Sequence, residues 1–199
     1  MNMFTVKPIS AGKITLLVIL GLLIVLVLWV MSTYNSLVSY NENAKTAQAD
    51  MEVQYQRRYD LIPNLVSTVQ GIFSQEQTVF TALAEARTKY SGTQPGTPER
   101  VGAINQVEGA LGRLLVVVEN YPQLRSSESV QKLQDQLEGT ENRISVARNN
   151  YNAVVNVLNK KVNYFPSNVI AGMFGFSQRE RFAAAAAAAN APAVKFDFK

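Results

Sequence analysis

Apolar and polar positions follow two patterns along this chain. The first is an unbroken run: Ile14 to Met31 reads ITLLVILGLLIVLVLWVM, eighteen residues without a charge. As a helix rising ~1.5 Å per residue it covers roughly 27 Å, about one hydrocarbon core. Trp29, near its downstream end, stands where an indole sits among headgroups. A cleaved signal peptide is the alternative, but its apolar core is usually about 7–15 residues long and no A-x-A-like site follows. An uncleaved transmembrane helix is therefore expected over 14–31, after a short segment at 1–13.

The second pattern begins after the run, where apolar residues recur at steps of three and four, the spacing of helices with one buried face. One inward series is Tyr34, Leu37, Asn41, Ala44, Gln48, Met51, Tyr55, Arg58. The next is Ile62, Leu65, Val69, Ile72, Glu76, Val79, Leu83, Ala86, Tyr90. A third carries Val101, Ile104, Val107, Leu111, Leu114, Val118, and a fourth runs from Val130 through Leu137, Ile144 and Tyr151 to Leu158. Asp60 before Leu-Ile-Pro-Asn can cap a new helix, with Pro63 in its first turn. SGTQPGTP at 91–98 is a loop by composition, and Tyr121-Pro122 ends a helix. Helices are thus expected at about 32–58, 61–90, 99–121 and 127–163. The fold class is all-α: one transmembrane helix, then an antiparallel up-and-down four-helix bundle over 32–163.

Two segments follow the bundle. An aromatic stretch at 164–182 contains Phe165, Met173, Phe174 and Phe176. It suits a membrane-proximal or subunit contact, and equally a cover over the open end of the bundle. The tail, 183–199, has seven alanines at 183–189. It closes with Val194, Phe196 and Phe198 alternating with Lys195 and Asp197. That period of two suits a strand pairing with another edge, against the default of a frayed terminus. Phe196 and Phe198 join the candidate contact residues.

Composition mainly excludes. The 199 residues contain no His and no Cys. That removes zinc sites of the His/Cys kind, Cys nucleophiles, Ser-His-Asp triads, disulfides and iron–sulfur clusters. Lack of Cys fits either redox compartment. The net charge is +4, of which Lys7 and Lys13 supply two; from Ser32 onward the 17 basic and 15 acidic residues nearly balance. No concentrated basic surface for nucleic acid results. Lys7 and Lys13 before the apolar run, against Lys45 alone in the twenty residues after it, lean the N-terminus toward the cytoplasm and the bundle away from it.

The fifteen carboxylates show no catalytic or metal-ligating spacing, and no phosphate-binding glycine motif or EF-hand loop occurs. No cofactor is expected. The informative polar residues lie in or beside the helix seams: Asn41, Arg57, Arg58, Asp60, Asn64, Glu76, Arg87, Glu119, Glu141, Arg143, Arg148, Asn152 and Asn156. A polar ligand groove is one reading; interhelical pairing that fixes register is the stronger one, because buried charges need partners. With a corner placed near residue 60, Glu76 falls level with residues 142–143 on the last helix, and is expected to pair with Arg143 or Arg148.

These residues carry a resemblance. Tyr34-Asn35-Ser36-Leu37-Val38, Gln54-Tyr55-Gln56-Arg57-Arg58-Tyr59-Asp60-Leu61-Ile62-Pro63-Asn64-Leu65-Val66, Glu76, Ala86-Arg87, Glu119-Asn120-Tyr121-Pro122-Gln123-Leu124, Leu133-Gln134, Glu141-Asn142-Arg143-Ile144, Arg148-Asn149-Asn150-Tyr151-Asn152 and Phe165-Pro166-Ser167-Asn168 resemble the LemA family. The closing Ala191-Pro192-Ala193-Val194-Lys195-Phe196-Asp197-Phe198 is similar to the family's Ala-Pro-x-Val-x-Phe ending, with extra residues at Lys195–Asp197. The likeness covers roughly 34–198, and the alanine run departs from it. It implies an N-terminal anchor and a helical bundle, and it carries no catalytic residues. Members are similar to a protein needed for building magnetosome membranes, and others are encoded beside TPM-domain proteins or membrane metallopeptidases. The expectation is a non-enzymatic scaffold in the bacterial inner membrane, in contact with the bilayer and self-associating into a homo-oligomer. The alternative is a lipid-surface or regulatory accessory of a membrane-protein partner such as a protease.

Overall fold

The computed structural model describes residues 11–72 and 76–182. Among them the ordered elements are all helical: α1 Ala11–Ile72, α2 Gln77–Ser91, α3 Pro98–Asn120, α4 Pro122–Arg125, α5 Glu128–Asn163 and α6 Ser167–Met173. Phe196 and Phe198 lie outside the described residues.

The main departure from expectation is α1. The apolar run, the expected first bundle helix and the start of the expected second form one helix of 62 residues, with Pro63 inside it. The break expected at 59–60 is absent. The buried series shows why: Met51, Tyr55, Arg58, Ile62, Leu65 and Val69 are all buried, at steps of four, three, four, three and four. The inward face never loses phase across Asp60 and Pro63, so burial favours continuing the helix. Pro63 itself is exposed. The hydrogen bond that it cannot donate is therefore lost on the solvent side, where water can serve the freed carbonyl. The next helix, α2, begins at Gln77.

The apolar start of α1 stands bare of protein contacts, with Leu16 and Leu22 about two-thirds exposed (67% and 66%). Exposure of a contiguous apolar helix of this length is stable in lipid, not water. The other long apolar helix, α3, buries Ala103, Ile104, Val107, Ala110, Leu111, Leu114 and Val118 on its inward face. It is a core helix.

The chain divides into two compact units. The first, among the described residues, comprises 11–43 and 156–179. Leu37, Ile170 and Ala171 form its core, with Val30, Val162 and Phe176 packed against them. The end of α6 places Phe176. Gly175, at a φ of +75°, takes the left-handed conformation that only glycine adopts freely. The Phe176 N–H then donates to the Ala171 carbonyl at 2.9 Å. This is the six-to-one bond of a Schellman cap, which turns the following apolar residue back onto the helix.

The second unit comprises 44–72, 76–155 and 180–182. Phe80, Leu83, Ala86 and Tyr90 of α2 and the inward face of α3 are buried here, beside Val130, Leu137, Ile144, Tyr151 and Val155 of α5. Each such aliphatic side chain contributes about 1.5–3 kcal/mol by leaving water. The α3 start is set by Thr97, whose hydroxyl accepts the Arg100 N–H at 3.2 Å, with Pro98 in the first turn. The segment expected as one piece at 164–182 is divided: residues 164–179 belong to the first unit and 180–182 to the second.

Before α3 the loop turns at Gly96, at a φ of +80°, and a Cβ there would run into the Gln48 side-chain amide. Gly96→Ala should lower stability by about 1–2 kcal/mol, from backbone strain in that region. Thermal unfolding by circular dichroism in detergent checks this. An unchanged melting temperature would mean that the loop turns differently.

Candidate functional site

The chemistry of the second unit is concentrated on three arginines and the tyrosines beside them. Arg58 is buried at 6% exposure on the inward series of α1. Its Nη1 contacts Glu108 Oε2 of α3 at 3.1 Å and also pairs with Glu141 Oε2 of α5. One cation thus ties carboxylates from two other helices. Two carboxylates share one guanidinium, and Glu108 is the more buried of them. Desolvation pushes its carboxyl above the ordinary carboxylate value, opposed by Arg58, reinforced by Glu141 and opposed again by Arg148. Glu108 Oε1, Arg58 Nε and the Tyr59 hydroxyl are buried without a hydrogen-bond partner.

Arg100 makes a second staple. Its Nε and Nη2 donate to Glu52 Oε2 at 3.0 and 2.8 Å, and its Nη1 donates to the Tyr90 carbonyl. The guanidinium carbon stands 3.3 Å from the centre of the Tyr90 ring. The Tyr90 hydroxyl donates to Glu52 at 3.3 Å. Burial, the first cause in each case, raises the Tyr55, Tyr59 and Tyr90 phenols well above their ordinary value, so all three stay protonated.

The third arginine, Arg148 of α5, donates from Nε to the Tyr55 hydroxyl at 2.5 Å. It also lies over the Phe182 ring, 5.2 Å from the centroid. Phe182 in turn packs on Tyr55 at 5.9 Å, Tyr55 on Tyr59 at 6.0 Å, and Tyr59 edge-on to Tyr90 at 4.1 Å. Phe182 is held by its main chain: Asn152 Oδ1 accepts its N–H at 2.8 Å, and Asn152 Nδ2 donates to its carbonyl at 3.0 Å. The Tyr151 hydroxyl donates to the Glu180 carbonyl at 3.0 Å. In the first unit the same device recurs: Asn159 accepts the Arg179 N–H at 2.9 Å and donates to its carbonyl at 2.8 Å. The Arg179 guanidinium reaches Asn41 Oδ1 at 3.1 Å.

Of the expected polar network, Arg58 and Glu141 meet directly, while Arg148 and Asn152 meet at Phe182. Arg57 and Arg143 are exposed and line a shallow groove with Asp135. Asp60 accepts from Gln56, one turn earlier, at 2.8 Å. Asn64, Arg87 and Glu119 are exposed. Glu76 does not pair with Arg143 or Arg148. It precedes α2 and its Oε1 accepts from the Tyr121 hydroxyl at 3.4 Å. The expectation failed because α1 runs on past residue 60 to Ile72 and α2 begins at Gln77, which removes Glu76 from mid-helix. Glu52, Arg100 and Glu108 were missed. Arg100 had a signal, since 100, 104, 107, 111, 114 and 118 keep one helical phase. Glu52 and Glu108 flank the inward Met51 and Val107.

Chemically, the arrangement fixes helices to one another. Its hydroxyls are protonated phenols, and no group of three or more metal-ligating side chains stands together among the described residues.

The LemA family model matches residues 47–196, from the middle of α1 onward and through every element of this network. The chain belongs to the LemA family. This LemA chain is also similar to the magnetosome proteins MamQ 1 and MamQ 2 of Paramagnetospirillum magneticum, each 26% identical over 205 residues, covering 89% of this chain and 75% of the relative. Magnetosome protein MamQ of Magnetospirillum gryphiswaldense is 25% identical over 203 residues, covering 88% and 75%. Neither the family description nor these names denote an enzyme. The apolar start of α1 is long and apolar enough to cross a membrane.

Two predictions follow from the Arg58 cluster. Arg58→Ala leaves Glu108 buried without its cation and should cost about 3–5 kcal/mol, read as a lower denaturation midpoint. Glu108→Gln tests the charge itself. A carboxyl raised in the folded state binds its proton more tightly there, so Glu108 adds stability as pH falls toward the ordinary carboxylate range and costs stability above it. Compared with Glu108→Gln, the parent chain should gain in melting temperature as the pH is lowered from neutral toward 4.5, the ordinary carboxyl value. A gap that does not vary with pH would show that Glu108 is solvated.

Proposed function

We propose that this LemA-family protein is a non-enzymatic, single-pass scaffold that organises complexes at the cytoplasmic membrane by self-assembly, with its helical part outside the cytoplasm. In this reading the later part of α1 with α2, α3 and α5 makes an antiparallel up-and-down four-helix bundle. The observation that carries the proposal is how the side chains are used. The buried charges of Arg58, Arg100, Glu52 and Glu108 are spent on one another. Meanwhile Phe165, Val169, Met173 and Phe174 remain 82%, 51%, 72% and 52% exposed. A molecule whose ionic chemistry is internal and whose apolar surface is external is suited to contact rather than turnover. Phe176 is the exception among the candidate contacts, since it packs into the first unit's core. The magnetosome relatives support a role at a membrane, and Lys7 and Lys13 support the orientation.

Three measurements test the proposal. After extraction in mild detergent, light scattering should give a discrete homo-oligomer, and Met173→Cys in this cysteine-free chain should cross-link copies in the membrane. A monomer without cross-links would overturn self-assembly, and a stoichiometric foreign subunit would favour the accessory role instead. For orientation, Ser126→Cys is exposed between α4 and α5. A membrane-impermeant thiol reagent should label it in intact cells, whereas protection until permeabilisation would place the helical part in the cytoplasm.

A further inference from the structure

The first unit contains a cavity that the scaffold reading does not use. It has a volume of about 580 Å³ and is lined by residues of α1, α5, the link to α6 and the start of α6, among them Trp29, Ser32, Ser36, Lys160, Lys161 and Tyr164. We propose that it binds the headgroup phosphate of an anionic phospholipid, with Lys160 and Lys161 as its cations. The assignment rests on the membrane anchoring in the preceding reading and deepens it by naming a ligand.

Four observations converge. The first is position. Trp29 and Val30 belong to the apolar run itself, and Val30 packs against the core formed by Leu37, Ile170 and Ala171. Residues 29–37 of α1 follow directly on the hydrocarbon-spanning stretch, so the cavity stands where headgroups lie.

Charge is the second. The lining has two lysines and no carboxylate. Neither lysine has an acidic partner among the described residues; the Tyr40 ring lies 6.0 Å from Lys161 Nζ. Both side chains are exposed, so their charge is open to an anion.

The third is the hydroxyl set. Ser32 and Thr33 line the α1 wall with hydroxyls that suit phosphate oxygens, while the Ser36 hydroxyl, one turn further on, donates to the Ser32 carbonyl at 2.9 Å. The fourth is the rim. Tyr164 and Phe165 are 63% and 82% exposed beside the two lysines. An apolar edge next to a basic, hydroxyl-lined pocket is the surface that a lipid, with a charged head and apolar chains, complements.

Trp29 is the single tryptophan of the chain, and it lines this cavity. It is therefore a direct reporter. The full-length protein in neutral detergent would be titrated with short-chain phosphatidylglycerol, short-chain phosphatidylcholine or inorganic phosphate while Trp29 emission is recorded. A saturable shift is expected with phosphatidylglycerol at concentrations where the other two have none. The Lys160→Gln/Lys161→Gln variant should weaken it roughly twenty-five-fold, about fivefold for each lysine. The Lys160→Arg/Lys161→Arg variant should retain it. Circular dichroism of both variants confirms folding, which these exposed positions leave intact.

An equal response to phosphatidylcholine, or an unchanged response in the Gln variant, would overturn the site. The same shift from inorganic phosphate at equal concentration would overturn its assignment to lipid. Light scattering on the same samples separates the two proposals. Loss of the lipid response in an intact oligomer sinks the cavity alone, and a monomer that keeps the response sinks self-assembly alone.

Discussion

A guanidinium withdrawn from water must be met by carboxylates, and in the second unit that requirement organises the helices. Arg58 occupies a position on the α1 seam that would otherwise hold an aliphatic side chain, and it draws Glu108 of α3 and Glu141 of α5 to one point. The Coulomb attraction is non-directional. Specificity comes instead from the cost of burying the guanidinium or Glu108 alone, which penalises every register that separates them. Arg100 applies the same rule at Glu52, with the Tyr90 ring covering the guanidinium. Two charged staples at different levels of α1 fix its rotation and its axial position, which apolar packing by itself leaves loosely specified.

Around those staples the aromatic residues work as spacers. Tyr55, Tyr59 and Tyr90 are nearly inaccessible, and burial keeps their hydroxyls protonated. Phe182 extends this row by means of Asn152, which reads both main-chain groups of that residue. A side-chain amide offers one donor and one acceptor at the spacing of a peptide unit, so a helix can hold an extended segment without a β-strand partner. Asn159 does the same for Arg179. A segment without helix or sheet thereby gains satisfied backbone groups.

The first unit follows different physics. Its core is small, and it is completed by a short helix whose glycine cap turns Phe176 inward. Tyr34 meets Phe174 and Phe176 at 4.8 and 5.9 Å. What remains outside is a mixture of aromatic rings and lysines beside the apolar run. Such a mixture is unfavourable against water alone and favourable at the boundary between hydrocarbon and headgroups.

The sequence by itself determined the helical character, the lipid-spanning run and the inward faces. Leu37, Ala44, Met51, Tyr55, Ile104, Leu111, Leu114, Leu137, Ile144 and Leu158 all follow from steps of three and four and are all buried. Side-chain spacing along one helix is a local property, so the chain displays it directly. Where a helix ends and which charges meet are not local. Asp60 and Pro63 have the chemistry of a helix start, yet the unbroken phase from Arg58 to Ile62 and the burial it secures outweigh one missing hydrogen bond. That choice carried α1 on to Ile72, sent Glu76 to Tyr121 and left Arg148 for Tyr55. Only tertiary structure decided these pairings, because each joins residues far apart in the chain whose proximity depends on where every intervening turn falls.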